Sequence, residues 1–294
     1  RKAKLEQGRL KNIDLLLPVI ELRLDKFGGV VKRAKDGSYS QSDWTRINLH
    51  VIFDALEPEI IRQQFLGSLF ASYDLIPDSA DLKGKWRGAI TRDSLGELGQ
   101  MIIDAAPADK KADFASPLEE GFNNLCVSLE KVTEALNKHH LIGKHLLAIG
   151  KTEWANLKWD GQSIAEKRNI INRADLVFTA AANPADYATA RRSLTESNVL
   201  DKLLDCSDAH ALSNSPNKDR IGNCFTWIKA DPTFKGLVQA ITEFEDRVFI
   251  GDTPPKRLLV DANRTKYASK IRISRRAGST LADPWFSVDM PLSH

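Results

Sequence analysis

Short apolar runs alternate along the chain with longer stretches in which apolar residues recur at helical spacing. The short runs are bounded by polar residues, a pattern typical of strands that are buried on both faces. They predict strands at 15–24, 48–53, 146–150, 176–179, 203–206 and 224–229. The longer stretches predict helices at 57–73, 94–105, 161–173, 184–196 and 233–243, with a further helix from a capping box at Ser116 to about His139. Strands that alternate with helices predict an α/β fold with a mainly parallel sheet, open or closed into a barrel.

The character of the sequence changes after Gly251. Residues 252–255 have the composition of a linker, and the segments 270–274 and 285–292 beyond it have the character of strands. We therefore expect a main domain at 1–252 and a strand-rich segment without a helix at 253–294. That segment is either an extra hairpin on the main domain or the opening of a second domain.

Composition and charge narrow the class of protein only a little. The chain of 294 residues is 42% hydrophobic and 28% charged, which is ordinary for a globular protein. Its formal net charge of +3 does not by itself identify a nucleic-acid partner, although basic clusters occur at 83–92, 256–257 and 266–276. The three cysteines lack CxxC spacing, which argues against a disulfide framework and favours a reducing, cytoplasmic location. No apolar stretch approaches the ~20 residues of a membrane span, so no membrane partner is expected.

Four acidic or histidine side chains fall in or directly after predicted strands. Asp208 and His210 follow the run 203–206, and in an extended backbone residues two apart share a face. Glu21 and His50 lie in the strands predicted near the start of the chain. Carboxylates and imidazoles that converge at strand ends are the pattern of a metal-dependent hydrolase, and ligands at the ends of successive strands favour the barrel.

Each of these residues also has a structural interpretation. Asp208 can cap a loop beside a surface His210, and Glu21 can be a solvent-facing strand residue in the alternation with Arg23. His50, between Leu49 and Val51, can be a hydrogen-bonded core histidine. Nucleophilic catalysis has weak support, since no GxSxG motif is present.

The order of these motifs resembles that of the PHP (polymerase and histidinol phosphatase) superfamily. The resemblance rests on the Leu-Pro-x-Ile-Glu strand that ends at Glu21, on Asn-Leu-His-Val-Ile around His50, and on Cys-Ser-Asp-Ala-His at 206–210. The block 220–250 is similar to the PHP domain of TrlF-like proteins, in which that domain precedes an SMC/ABC-type AAA ATPase. Related proteins are linked to anti-phage defence.

The resemblance implies a distorted barrel of seven strands that hydrolyses phosphoesters at a centre of two or three divalent ions. Carried over to this chain, Glu21, His50, Asp208 and His210 would be ligands of Mn, Zn, Fe or Mg. Lys151 and Arg92 would meet the substrate phosphate. The family also has a His-x-His pair on the first strand that nothing before Glu21 supplies, so we expect this barrel to lack its first strands and to belong to a longer protein.

Three functions remain open at this point. The first is a metal-dependent phosphoesterase or nuclease, acting on nucleic acid or another phosphoester and coupled to an ATPase domain downstream of His294. The second is a catalytically degenerate PHP scaffold that binds nucleic acid or a partner and regulates the ATPase. The third is a small-molecule phosphatase. Unpaired strand edges in an incomplete barrel would also favour a homo-oligomer.

Overall fold

The computed structural model describes residues 13–27, 46–74, 85–150, 164–217, 219–266, 270–273 and 288–291. The strands, in chain order, are β1 (Val19–Phe27), β2 (Arg46–Phe53), β3 (Phe70–Asp74), β4 (Lys85–Ala89), β5 (His145–Ile149), β6 (Leu176–Thr179), β7 (Leu203–Asp205), β8 (Thr226–Ile228), β9 (Val248–Ile250), β10 (Lys270–Ile273) and β11 (Val288–Pro291).

The helices, in the same order, are α1 (Pro58–Ile60), α2 (Arg92–Ala105), α3 (Pro117–Asn124), α4 (Leu129–Leu136), α5 (Ile164–Asn172), α6 (Pro184–Glu196), α7 (Phe234–Thr242), α8 (Phe244–Arg247) and α9 (Pro255–Ala262). A π-helix at Ile61–Phe65 and a 3-10 helix at Leu66–Ser68 continue α1. Further 3-10 helices lie at Ala108–Asp113 and Arg264–Lys266.

A five-stranded sheet in the order β1-β2-β5-β6-β7 forms the centre of the fold. Strands β5, β6 and β7 are parallel, whereas β2 runs antiparallel to both of its neighbours. The α/β class predicted from the sequence is therefore confirmed, with a mixed sheet. Over the described residues this sheet is open, and they form no closed barrel.

Helices cover both faces of this sheet. Successive residues of its strands point to opposite faces, and each face carries its own set of apolar side chains. One set, which includes Leu49, Leu147 and Val177, packs against the buried residues of α2, α4, α5 and α6. The other set packs against α7 and α8 and consists of Ile52, Leu146, Ala148, Leu176 and Leu204. Glu21 and His50 share the parity of the second set and so lie on the face that α7 covers.

Two glycines bring α2 and α3 into close contact. A Cβ atom on Gly99 would overlap the carbonyl oxygen of Pro117, and one on Gly121 would overlap the carbonyl oxygen of Leu95. The two helices therefore approach at a distance that only glycine permits.

Three of the predicted elements are wrong in part. The helix predicted at 57–73 ends at Ser68, and β3 follows at once, with Phe70 exposed between the buried Leu69 and Ala71. The helix predicted from Ser116 to His139 divides into α3 and α4. Between them, Cys126 and Val127 form bridges to Ser72 and Leu24.

The third partial error concerns the C-terminal segment. Helix α9 begins at Pro255, so the predicted absence of helix after residue 252 is wrong. The two strands predicted there are confirmed as β10 and β11, which pair in antiparallel fashion. Within the parts of the chain that the structure describes, every helix is too short or too polar to cross a membrane.

Candidate active site

Glu21, Asn48 and His50 form a polar cluster on one face of the β1–β2 pair. Glu21 lies directly opposite His50 in the antiparallel register, and Asn48 precedes His50 by two residues on the same face. The Asn48 side-chain amide donates a hydrogen bond of 2.8 Å to Oε1 of Glu21. Nε2 of His50 lies 3.7 Å from Oε2 of the same carboxylate. Asn48 thus orients the Glu21 carboxylate, and His50 lies close to its other oxygen.

The ring of His50 is held against the sheet beside Phe178 of β6. The two rings meet edge to face with their centroids 5.6 Å apart. Burial lowers the pKa of His50 below its usual value of 6.5, while the carboxylates of Glu21 and Asp208 partly offset this effect. The imidazole is therefore neutral at neutral pH and can offer a lone pair to a cation.

The Nδ1 atom of His50 is buried and has no hydrogen-bond partner in the described structure. The ring also has a hydrogen bond with the backbone of Ala148, so the interpretation of His50 as a hydrogen-bonded histidine stays open beside that of a metal ligand. An unpaired buried ring nitrogen costs free energy, and such groups concentrate at functional sites.

Asp208 lies in the loop that follows β7. That strand ends at Asp205, and Asp208 has a φ of 46°, so the extended backbone assumed for Asp208 and His210 is wrong. The charge of the Asp208 carboxylate raises the pKa of His50 and so opposes the effect of burial, which is the link between this loop and the β1–β2 pair.

His210 has a different environment from Asp208. Its side chain is 73% exposed, and its Nδ1 atom lies 2.8 Å from the carbonyl oxygen of Asp208 and 3.6 Å from a carboxylate oxygen of Asp219. The ring therefore helps to close the loop 208–219, and no contact with Glu21 or His50 accompanies it among the described residues.

Asp205 anchors this loop and was not among the candidates from the sequence. Its side chain is buried, and its two oxygens accept hydrogen bonds from the backbone N–H groups of Ala181, at 2.7 Å, and Phe225, at 2.8 Å. It thereby ties the end of β6 to the segment before β8. A carboxylate that closes an apolar strand is the signal in the sequence that could have identified it.

Of the two residues expected to meet phosphate, Arg92 lies apart from this cluster. Arg92 is the exposed first residue of α2, which packs Leu95 and Leu98 against the opposite face of the sheet. In the described structure it makes no ion pair with Glu21 or Asp208. Lys151 lies outside the described residues.

The side chains of the cluster include types that can bind a metal ion. Over the described ranges, no group of three or more His, Cys, Asp or Glu side chains is arranged to hold an ion. Glu21, His50 and Asp208 offer carboxylate oxygen and neutral imidazole nitrogen. These are donors that Zn, Mn and Fe accept, so the chemistry of these side chains fits a metal ion.

Comparison of the chain with protein-family models, with curated proteins and with solved structures finds no match.

Proposed function

We propose that this chain is a divalent-metal-dependent phosphoesterase or nuclease domain of the PHP type, within a larger ATPase-coupled protein. The observation that carries the proposal is the apposition of Glu21 and His50 on β1 and β2, with a carboxylate at Asp208 whose charge raises the pKa of His50. For the fold, we propose that the open sheet is part of a PHP-type barrel completed by further strands. The cytoplasmic location, which rests on the cysteine usage, and the link to anti-phage defence, which rests on the resemblance, belong to the same proposal.

Each residue of the cluster has a role in this proposal. Glu21, His50 and Asp208, joined by His210, would hold the metal ions. A bound divalent ion lowers the pKa of a water ligand and neutralises phosphoryl oxygens. Asn48 orients the Glu21 carboxylate, and Phe178 fixes the ring of His50. Lys151 would meet the phosphate because it follows the strand predicted at 146–150, where the family usually has a His, and Arg92 because it belongs to the basic cluster at 83–92.

The test measures metal content and hydrolysis in the full-length natural protein. Native mass spectrometry after addition of Mn²⁺ counts the bound ions, and bis(p-nitrophenyl) phosphate serves as a generic phosphodiester. We expect His50→Ala and Asp208→Ala to lose both bound metal and hydrolysis. We expect Asn48→Ala to weaken metal binding by about 10- to 100-fold, because it removes the hydrogen bond that orients a ligand.

The matched control is His140→Ala, which removes an exposed histidine that lies apart from the cluster. We expect it to keep the metal content and the rate of the unaltered protein. Equal metal content in the unaltered protein and in the His50→Ala and Asp208→Ala variants would contradict the proposed site.

One observation favours the second candidate function, a degenerate scaffold that regulates the ATPase. His210 points to Asp219 and not to His50, so the described residues supply one ligand fewer than the resemblance implies. This candidate predicts a full-length protein that holds no Mn²⁺ yet binds a fluorescent single-stranded oligonucleotide with strong salt dependence. Stoichiometric metal would exclude it.

A further inference from the structure

The hairpin of β3 and β4 has one face packed against the protein and one face open to solvent. On the inner face, Ala71 is buried, and Tyr73 and Trp86 pack against the larger core, which contains the buried residues of α2 and α4. Residues of the other parity point outward. The outer surface, which we call the hairpin face, consists of Phe70, Ser72, Arg87 and Ala89.

Phe70 and Arg87 are the two large side chains of the hairpin face. Phe70 is 67% exposed, and the small Ala89 lies directly opposite it in the antiparallel register. Arg87 is the diagonal neighbour of Phe70, and diagonal neighbours on one face of an antiparallel pair lie about 7–8 Å apart. The Arg87 side chain is exposed, and within the described part of the chain its guanidinium makes no ion pair.

The hairpin is joined to β1 through the segment between α3 and α4. Ser72 and Cys126 exchange two backbone hydrogen bonds, of 2.6 and 2.8 Å, and the next residue, Val127, forms a bridge to Leu24. Leu24 and Val127 both face the larger core, so Cys126 and Ser72 face the other side of the sheet. Glu21 differs in parity from Leu24 and faces that side as well. The hairpin face and the candidate active site therefore lie on the same side of the sheet.

The distance between these two surfaces favours a polymer as the ligand that contacts both. Strand β3 lies two strand positions from β1, which corresponds to about 10 Å at the usual spacing between strands. A small phosphoester cannot contact Phe70 and Glu21 at the same time. An extended chain of a few nucleotides can do so.

The chemistry of the hairpin face matches the two repeating parts of a nucleotide chain. A single exposed apolar side chain is ordinary on a protein surface, and it is the unpaired guanidinium beside Phe70 that indicates a ligand. An aromatic ring offers a stacking surface to a base, and an arginine offers a positive charge to a phosphate. The ring can accept a base only from a single strand, because the bases of a duplex are stacked on one another.

We propose that the hairpin face binds single-stranded nucleic acid, with a base stacked on the ring of Phe70 and a phosphate paired with Arg87. Because this face shares a side of the sheet with Glu21 and His50, the bound strand would be the substrate of the candidate active site. That last step rests on the proposed function. Binding of the strand requires neither a metal ion nor hydrolysis.

The experiment measures the Kd of a fluorescein-labelled oligothymidine of about 16 nucleotides by anisotropy, with the full chain in EDTA. Phe70→Leu keeps an apolar side chain and removes the ring, whereas Phe70→Tyr keeps the ring. Arg87→Gln removes the charge, whereas Arg87→Lys keeps it. The matched control is Arg192→Gln, because Arg192 is also exposed and lies on α6, which packs on the opposite side of the sheet.

We expect Phe70→Leu to raise the Kd at least about fivefold and Phe70→Tyr to keep it within about twofold, because only the first variant loses stacking. Arg87→Gln should make the slope of log Kd against log salt concentration shallower by about 0.7, the change for one phosphate contact on a single strand. Arg87→Lys and Arg192→Gln should keep the slope. An oligomer of the same length that lacks bases should bind the unaltered chain and Phe70→Leu equally.

The proposal is overturned if the unaltered chain does not bind the oligonucleotide, or if Phe70→Leu binds it as tightly as the unaltered chain. It is also overturned if a duplex of the same length binds as tightly as the single strand. Thermal unfolding by circular dichroism checks that each variant folds, and Phe70→Ala carries the same test if Phe70→Leu does not.

The outcomes for the hairpin face and for the metal site are separate. Oligonucleotide binding that depends on Phe70, in a protein that holds no Mn²⁺ and hydrolyses no phosphodiester, would contradict the proposed function and support the hairpin face. Metal-dependent hydrolysis together with unchanged binding in Phe70→Leu would overturn the hairpin face and leave the proposed function standing.

Discussion

At the scale of the residue, Asp205 has a structural role as a buried hydrogen-bond acceptor. Both of its oxygens accept backbone N–H groups in a buried setting, so the carboxylate is fully used as an acceptor. An amide of the same size has one acceptor oxygen, and its NH₂ group would face a backbone donor. Asp208 lies three residues later, in the loop that begins directly after Asp205.

We therefore expect Asp205→Asn to lower the free energy of unfolding by about 1–3 kcal/mol, the cost of leaving a buried donor unsatisfied. Urea denaturation monitored by tryptophan fluorescence measures this change. Asp252→Asn, at an exposed position, should leave the free energy within about 0.5 kcal/mol of the unaltered chain. Equal effects of the two substitutions would show that the hydrogen bonds of Asp205 contribute nothing.

The stability of the folded chain depends on the ionisation of Tyr187 at alkaline pH. Burial raises its pKa from 10.0 to about 12, and its hydroxyl donates a hydrogen bond of 2.6 Å to the carbonyl of Leu203. The protonated form is therefore favoured in the folded state. Its contribution to stability is fully present below pH 10 and is lost as the pH rises towards 12.

We expect Tyr187→Phe to be less stable at neutral pH by about 1 kcal/mol, because the Leu203 carbonyl loses its donor. We also expect the variant to lose less stability than the unaltered chain between pH 10 and pH 12. Denaturation curves at a series of pH values measure both effects. If both proteins lose the same stability over this pH range, groups other than Tyr187 cause the loss.

At the scale of the element, the contact between α2 and α3 depends on the absence of side chains. Gly99 meets the backbone of Pro117, whereas Gly96, one turn earlier on the same helix, has open space where a Cβ would lie. The same substitution in one helix should therefore have opposite effects. Overpacking a close contact costs about 1–3 kcal/mol, while alanine in an open helical position adds about 0.5–1 kcal/mol of stability.

We thus expect Gly99→Ala to lower the unfolding midpoint and Gly96→Ala to raise it. Differential scanning calorimetry on the two variants and the unaltered chain provides the comparison. If both substitutions stabilise the chain, then α2 and α3 do not approach as closely as the structure has them.

Periodicity in the sequence was enough to locate strands that are buried on both faces. The predicted strands at 176–179 and 203–206 agree with β6 and β7 to within one residue, since short apolar runs of this kind are typical of strands with both faces buried. It failed at β3, because Leu69 and Phe70 also satisfy helical spacing and only the pairing with β4 decides between the two. The sequence pattern of one segment does not show which other strand will pair with it.

The candidate site could be predicted only in part for a similar reason. Glu21 and His50 were expected on strands, but their apposition depends on the register of β1 against β2, which is decided by packing across the sheet. The geometry of Asp208 was missed because its positive φ belongs to a loop whose course is determined by Asp205 and Asp219.

At the scale of the whole molecule, the boundary predicted at residue 252 can be tested by shortening the chain. Helix α9, which follows the boundary, buries none of its residues. The residues just before it are integrated into the fold. Gly251 donates its N–H to the carbonyl of Phe225 and accepts a hydrogen bond of 3.0 Å from the indole of Trp227, and β9 pairs with β8.

We therefore expect a chain that ends at Asp252 to have a free energy of unfolding within about 0.5 kcal/mol of that of the 294-residue chain, since no buried contact of α9 is lost. A chain that ends at Arg247 should be markedly less stable, because it loses β9 and leaves Trp227 and Ile228 of β8 without their paired strand. Urea denaturation of the three chains measures the difference. If both shortened chains lose stability equally, the segment after residue 252 contributes to the core of the main domain, and the boundary lies elsewhere.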